Sequence, residues 1–194
     1  EFASMGQRVS ISLKKKSKES AIHSAFLKSD TAQFNLSLER GRLVNIKLEV
    51  DTKPPLQFET ENRLLLLPRP FYSRCFTLPC LFAGKMHALL YRAWKNRVKG
   101  RDWYDFEWYV RKRVKLDFFH FCERAYQFES APRGSLQAEA FMALLRQKIE
   151  TVNFSAAADD VRPFMRQPEH LKLWETDYFL QVAGMLQLEL RTGK

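Results

Sequence analysis

Phe71-Tyr72-Ser73-Arg74-Cys75-Phe76-Thr77-Leu78-Pro79-Cys80-Leu81-Phe82-Ala83-Gly84-Lys85-Met86 is the stretch over which the hydrophobic period of this chain changes. Residues 71–77, bounded by Pro70 and Pro79, read as a strand. Pro79 suits the first turn of a helix, where its missing N–H is no loss. Beyond it Leu81, Phe82, Met86, Leu89 and Leu90 form an apolar stripe at helical spacing. A chain that turns from strands to helices at one point predicts an α+β fold, with a small, mostly antiparallel sheet followed by a helical half.

Upstream, the pattern is strand-like. Val9, Ile11 and Leu13 alternate with Ser10 and Ser12, and residues 21–28 make a second strand beyond a basic turn at 14–18. Gly41 sets a turn before Leu43–Asp51. There Ile46, Leu48 and Val50 alternate with Lys47, Glu49 and Asp51. Pro54-Pro55 ends that strand.

Downstream, Gly100 breaks the first helix and a second begins near Asp102, whose carboxylate favours a helix N-terminus. Its apolar side is Phe106, Tyr109 and Val110. A third, aromatic-rich helix covers 117–128. Ser135 caps a fourth that runs to Glu150, and 153–161 make a short fifth. Pro168 precedes a last helix carrying Leu171, Trp174, Tyr178, Val182 and Met185 on one face. The organisation expected is residues 1–5 as a cloning scar and start methionine, 6–78 as a sheet-bearing core and 79–194 as the helical half.

Composition narrows the function classes. Lys and Arg number 32 against 22 Asp and Glu, a net charge of +10, which favours a polyanionic partner such as nucleic acid or nucleotide. No run of 18 apolar residues exists to span a bilayer, and no signal peptide is visible, so no membrane partner is expected. Three cysteines without framework spacing fit reduced thiols and a cytoplasmic location. A zinc site from Cys75, Cys80, His87 and His120 lacks the spacing of a known motif. Nucleotide-binding glycine loops and hydrolase elbows are absent from the sequence.

Three places can carry chemistry. On the strand Lys47-Leu48-Glu49-Val50-Asp51, period two sets Glu49 and Asp51 about 7 Å apart on one face, a pair of hard oxygen ligands for a divalent cation. The plain alternative is the solvated face of a half-exposed sheet. On the first helix, Lys85 and Arg92 are seven residues apart and share a face, so both can grip phosphate oxygens, with Gly84 leaving room for a close approach. The alternative there is a basic face beside an apolar one. The third place is the basic run Arg92, Lys95, Arg97, Lys99 and Arg101, interleaved with Trp94 and Trp103, which suits phosphate contacts and base stacking. Asp102 and Asp105 follow it on one side of a helix start. Either is a catalytic carboxylate or a neutralising partner of Arg101 or Lys99.

The stretch Gly84-Lys85-Met86-His87-Ala88-Leu89-Leu90, then Arg92, then Lys99-Gly100-Arg101-Asp102-Trp103-Tyr104-Asp105-Phe106 resembles the third motif of AbiEii/AbiGii nucleotidyltransferase toxins. The strand Ile46–Asp51 is similar to their second motif. Asp160-Val161-Arg162-Pro163-Phe164 and Trp174-Glu175-Thr176-Asp177-Tyr178-Phe179 resemble their C-terminal helical part, so the likeness runs from Gly6 to Gly184. It implies a polymerase-beta-like nucleotidyltransferase core, a bacterial toxin–antitoxin (phage-defence) role, a cognate antitoxin, and magnesium-assisted transfer of nucleotides from an NTP to an RNA acceptor such as tRNA.

Carried over residue by residue, the likeness makes Lys85, with Arg92 and Arg101, the triphosphate contacts. Asp102 or Asp105 becomes the acidic catalytic group, and Glu49 or Asp51 the carboxylate near the metal. The family's first motif, a Gly-Ser turn followed by Asp-x-Asp, has no counterpart in these 194 residues: Gly134-Ser135 opens a helix and Asp159-Asp160 is adjacent, not alternating. The expectation is therefore a truncated or short form with little magnesium-dependent transfer on its own. The alternative function is a non-catalytic basic module that binds RNA, nucleotide or the antitoxin.

Overall fold

The computed structural model describes residues 9–13, 22–30, 43–51, 54–92, 98–129, 132 and 134–190, with side chains from residue 54 onward. The chain forms two compact units, 1–54 and 55–194.

In the first unit, strands β1 (Val9–Leu13), β2 (Ile22–Asp30) and β3 (Leu43–Asp51) form an antiparallel sheet in that order. Val9 lies opposite Ser29, and Ile22 opposite Asp51, so all three segments that alternate in sequence are strands. The basic turn at 14–18 and the turn at Gly41 lie outside the described residues.

The second unit opens with a hairpin, β4 (Thr60–Leu65) against β5 (Phe71–Phe76), with Thr60 opposite Phe76. Strand β5 is the element read from 71–77. Strand β4 was not foreseen, because Thr-Glu-Asn-Arg-Leu-Leu has no alternation and takes its place by pairing. The period changes at 78/79, whereas the compact units divide at 54/55: the hairpin is strand-like in sequence but packs with the helices that follow it.

Helix α1 (Leu78–Tyr91) starts with Pro79 in its first turn, and Cys80, Phe82, Ala83, Met86, His87, Ala88, Leu89 and Leu90 are all buried. It is the central helix, packed on α2 (Gly100–Arg111) and α3 (Phe118–Glu129). Leu81, placed on the apolar stripe by its spacing, is 42% exposed, because neighbours on both flanks of α1 leave one strip of it open.

The start of α2 is decided by tertiary contact. Gly100 is its first residue rather than a break, and no local side chain caps it. Its N–H donates to Oδ2 of Asp160, 3.1 Å away on α5 (Phe154–Val161). A Cβ at Gly100 would sit 1.9 Å from the carbonyl oxygen of Ala157, so only glycine lets α2 and α5 approach this closely. The cap assigned to Asp102 thus comes from sixty residues downstream. In α3 and α5 the caps are local: Asp117 accepts from the His120 N–H and Asn153 from the Ala156 N–H.

Helix α4 spans Ala138–Thr151, with Gln137 at its N-cap, and Ser135 Oγ donates instead to the Pro132 carbonyl. The long last helix is not one helix. A 3-10 turn, Glu169–Leu173, is followed by α6 (Thr176–Gly184), with an extended break at Trp174 and Glu175. Met185, expected on the buried face, is 68% exposed. The break lets the Trp174 indole and the Tyr178 hydroxyl both donate to the buried Glu107 of α2, each at 2.9 Å. The chain then forms β7 (Leu188–Glu189), parallel to β6 (Leu116–Asp117) at the foot of α3.

The core of this unit is aromatic: Phe82 stacks on Tyr109, and Trp103, Phe154 and Phe179 form one cluster with ring centroids 4.4–5.2 Å apart. No helix among the described residues is long and apolar enough to cross a membrane.

Candidate functional site

The open strip of α1 is the floor of a pocket of about 320 Å3. Leu81, Gly84, Lys85 and Ala88 line it at spacings of three, one and three, and Arg92 follows at the helix end, so one face of α1 runs its whole length. Arg101 and Asp102 enter from the start of α2, His120 and Arg124 from α3, and Phe76 from the end of β5.

Lys85 and Arg92 do share a face, and both border the pocket. Lys85 Nζ donates to Asp105 Oδ2 at 2.6 Å, joining α1 to α2. Asp105 therefore holds the ammonium group. Asp102 is 6% exposed, and burial raises its pKa, opposed by the nearby charges of Arg92, Arg101 and Lys85. Arg101 Nε stands 3.9 Å from its Oδ1, a loose pairing in which the arginine remains largely exposed.

Arg124 is a cation that spacing did not reveal. It rises from an aromatic stretch of α3, lies over the Phe128 ring, and would touch a Cβ at Gly84 at 3.7 Å. The signal was present: His120 and Arg124 stand one turn apart. Nothing local ties them to α1. Lys85, Arg92 and Arg101 thus act on Asp102, Lys85 also pairs with Asp105, and Arg124 lines the same pocket from α3.

Trp103 is corrected. It is 3% exposed and packed on Phe154 and Phe179, so it is a core residue and not a stacking surface. Trp94, Lys95 and Arg97 lie outside the described residues. Asp160, Trp174 and Tyr178, from the C-terminal segments of the resemblance, are brackets on α2: the first holds its start and the other two hold Glu107.

The thiols are structural. Cys80 Sγ accepts from the Glu59 N–H and donates to Asp117 Oδ2, both at 3.1 Å, and burial raises its pKa. Burial pushes the Cys122 thiol up to about 11.

No group of three or more His, Cys, Asp or Glu gathers for a metal ion among the described residues. Asp105 is occupied by an ammonium, and Asp102 is flanked by guanidinium groups. This pocket does not fit a magnesium ion; its donor set suits an anion. Glu49 and Asp51 belong to the other unit, at the β3 positions paired with Ser24 and Ile22, and their side chains lie outside the described ones.

A cleft of converging cations beside a buried carboxylate, on an α+β frame, has the donor set of an anion site. The family model described as nucleotidyl transferase AbiEii toxin, type IV TA system, matches residues 3–189, and the chain belongs to that family. Membership places it among nucleotidyl transferase toxins of toxin–antitoxin systems, a class with a nucleotide substrate and a cognate antitoxin. No curated protein and no solved structure matches the chain.

Proposed function

We propose that the pocket between α1, α2 and α3 holds the phosphates of a nucleoside triphosphate, and that the toxin transfers a nucleotide from it to an RNA acceptor, with a tRNA-like end as the fitting class. The observation that carries this is the convergence of Lys85, Arg92, Arg101 and Arg124 on one cleft from three helices. Arginines can clamp phosphate oxygens bidentately, and Lys85 adds a point charge. In the transfer an acceptor hydroxyl oxygen attacks the α-phosphorus and the bond to the bridging oxygen breaks. Pyrophosphate leaves, and the hydroxyl proton passes to a base.

Of the two carboxylates, Asp102 suits the proton. It lines the cleft, and burial favours its protonated form. Asp105 suits positioning, since it fixes Lys85 through the 2.6 Å contact. Magnesium, which the resemblance implies, supplies charge neutralisation to such transfers. The carboxylates for it are not in this pocket, and Glu49 or Asp51 are the candidates left in the sequence.

The test is a calorimetric titration of the chain with ATP, with and without magnesium, repeated with Lys85→Ala. Binding should weaken at least tenfold in the variant. Because the Lys85–Asp105 pair is partly exposed, stability should change by only about 0.2–1 kcal/mol. Unaltered ATP affinity in folded Lys85→Ala would remove Lys85 from the phosphate site. Tight binding with no transfer to RNA would favour the non-catalytic module.

A further inference from the structure

The pocket is not uniform along α1. Around the C-terminal end of the helix it is cationic, with Arg92 and Arg101 beside Asp102. At the N-terminal end it is bordered by Phe76, Cys80, Leu81 and His120. Cys80 and Arg92 are twelve residues apart, about 18 Å along a helix, the scale of an extended nucleotide. The apolar end is a built surface. Phe76 is 38% exposed and closes the β4–β5 ladder opposite Thr60. Its ring stands 4.7 Å from Phe58 at 61°, and Phe58 stands 6.2 Å from His120 at 79°. His120 is fixed in turn by the Leu56 carbonyl, 3.2 Å from its Nδ1. The exposed aromatic is thereby braced by two further rings.

A bare polyphosphate has no use for such an end, whereas a nucleobase does, because every base offers a π-face to a ring. We infer that the bound nucleotide lies along α1, its base against Phe76 and Leu81 and its phosphates toward Arg92 and Arg101, with Lys85 and Arg124 between. Phe76 then separates nucleoside triphosphates from other polyphosphates, and its sequence-tolerant stacking permits more than one base. This rests on the reading of the pocket as a phosphate site and adds a direction to it.

The experiment titrates the 194-residue chain with ATP and, separately, with inorganic tripolyphosphate, using wild type, Phe76→Leu, Phe76→Tyr and Arg92→Ala. Phe76→Leu should weaken ATP about tenfold and leave tripolyphosphate unchanged, and Phe76→Tyr should restore ATP. Arg92→Ala should weaken both ligands. Leu81→Asn is a second probe of the same end, should Phe76→Leu lower the melting temperature, and is expected to spare tripolyphosphate likewise. Equal losses for both ligands in folded Phe76→Leu and Leu81→Asn, or no loss of ATP in either, would overturn the orientation while leaving the phosphate site standing. Failure of wild type to bind tripolyphosphate or ATP would overturn the phosphate reading and this inference with it.

Discussion

His87 shows how a residue can sit beside a functional cleft without belonging to its chemistry. It is 9% exposed, on the flank of α1 turned toward α3, with ring contacts to Tyr91, Phe121 and Phe128. Burial, and then the positive charges of Arg124 and Arg92, lower its pKa from 6.5 to about 4. At neutral pH the imidazole is uncharged, so its 3.4 Å approach to Glu129 is not an ion pair. The sign of the linkage follows. As pH falls below 6.5 the unfolded chain takes up this proton before the folded one, so stability drops between pH 6.5 and about 4. The loss for this group is up to about 3 kcal/mol. Denaturant midpoints measured across that window should decline less steeply in His87→Gln than in wild type; parallel slopes would show that His87 does not titrate this way. The charges of Arg124 and Arg92, which add to burial in keeping His87 neutral, are among those the cleft offers a phosphate.

At the scale of elements, α2 carries Arg101, Asp102 and Asp105, and every device that fixes it is remote in sequence. Asp160 caps its start, Glu107 is held by Trp174 and Tyr178, and burial with the Glu107 contact pushes the Tyr178 hydroxyl up to about 12. Gly100→Ala should be costly, on the order of 3 kcal/mol or more, because the added methyl meets backbone and α2 must move off α5. Asp160→Ala should cost about 1 kcal/mol by losing the cap. Chemical denaturation compares the two; a Gly100→Ala protein as stable as wild type would disprove the close contact. Both substitutions should also weaken ATP binding, since they shift Arg101 without touching the cleft. The helix was legible in the sequence from Phe106, Tyr109 and Val110. Its first residue and its cap were not, because a cap from another helix leaves no local pattern.

At the scale of the whole molecule, residues 55–194 contain the aromatic core and the described lining of the cleft, with Lys85, Arg92, Arg101 and Arg124. Expressed alone, they should unfold in one cooperative transition, monitored by tryptophan fluorescence, since Trp103 and Trp174 are both buried. A fragment that lacks a cooperative transition would mean that residues 1–54 are needed to complete the fold. The expected boundary at 78/79 would cut the β4–β5 hairpin away from α1, removing Phe76 from the cleft and Glu59 from Cys80.

The alternation of β1, β2 and β3, the bounding of β5 by Pro70 and Pro79, the change of period at Pro79, and the sharing of one face by Lys85 and Arg92 were determined by the sequence itself. Each is a local rule that links residues within two turns of helix or a few positions of strand. The tertiary structure decided the rest. It drew Arg124 and Phe76 to the cleft, took Trp103 into the core, split the last helix at Trp174, and tied Lys85 to Asp105. These depend on which helix faces which, and a partner sixty residues away is set by packing around the aromatic core rather than by any periodicity along the chain.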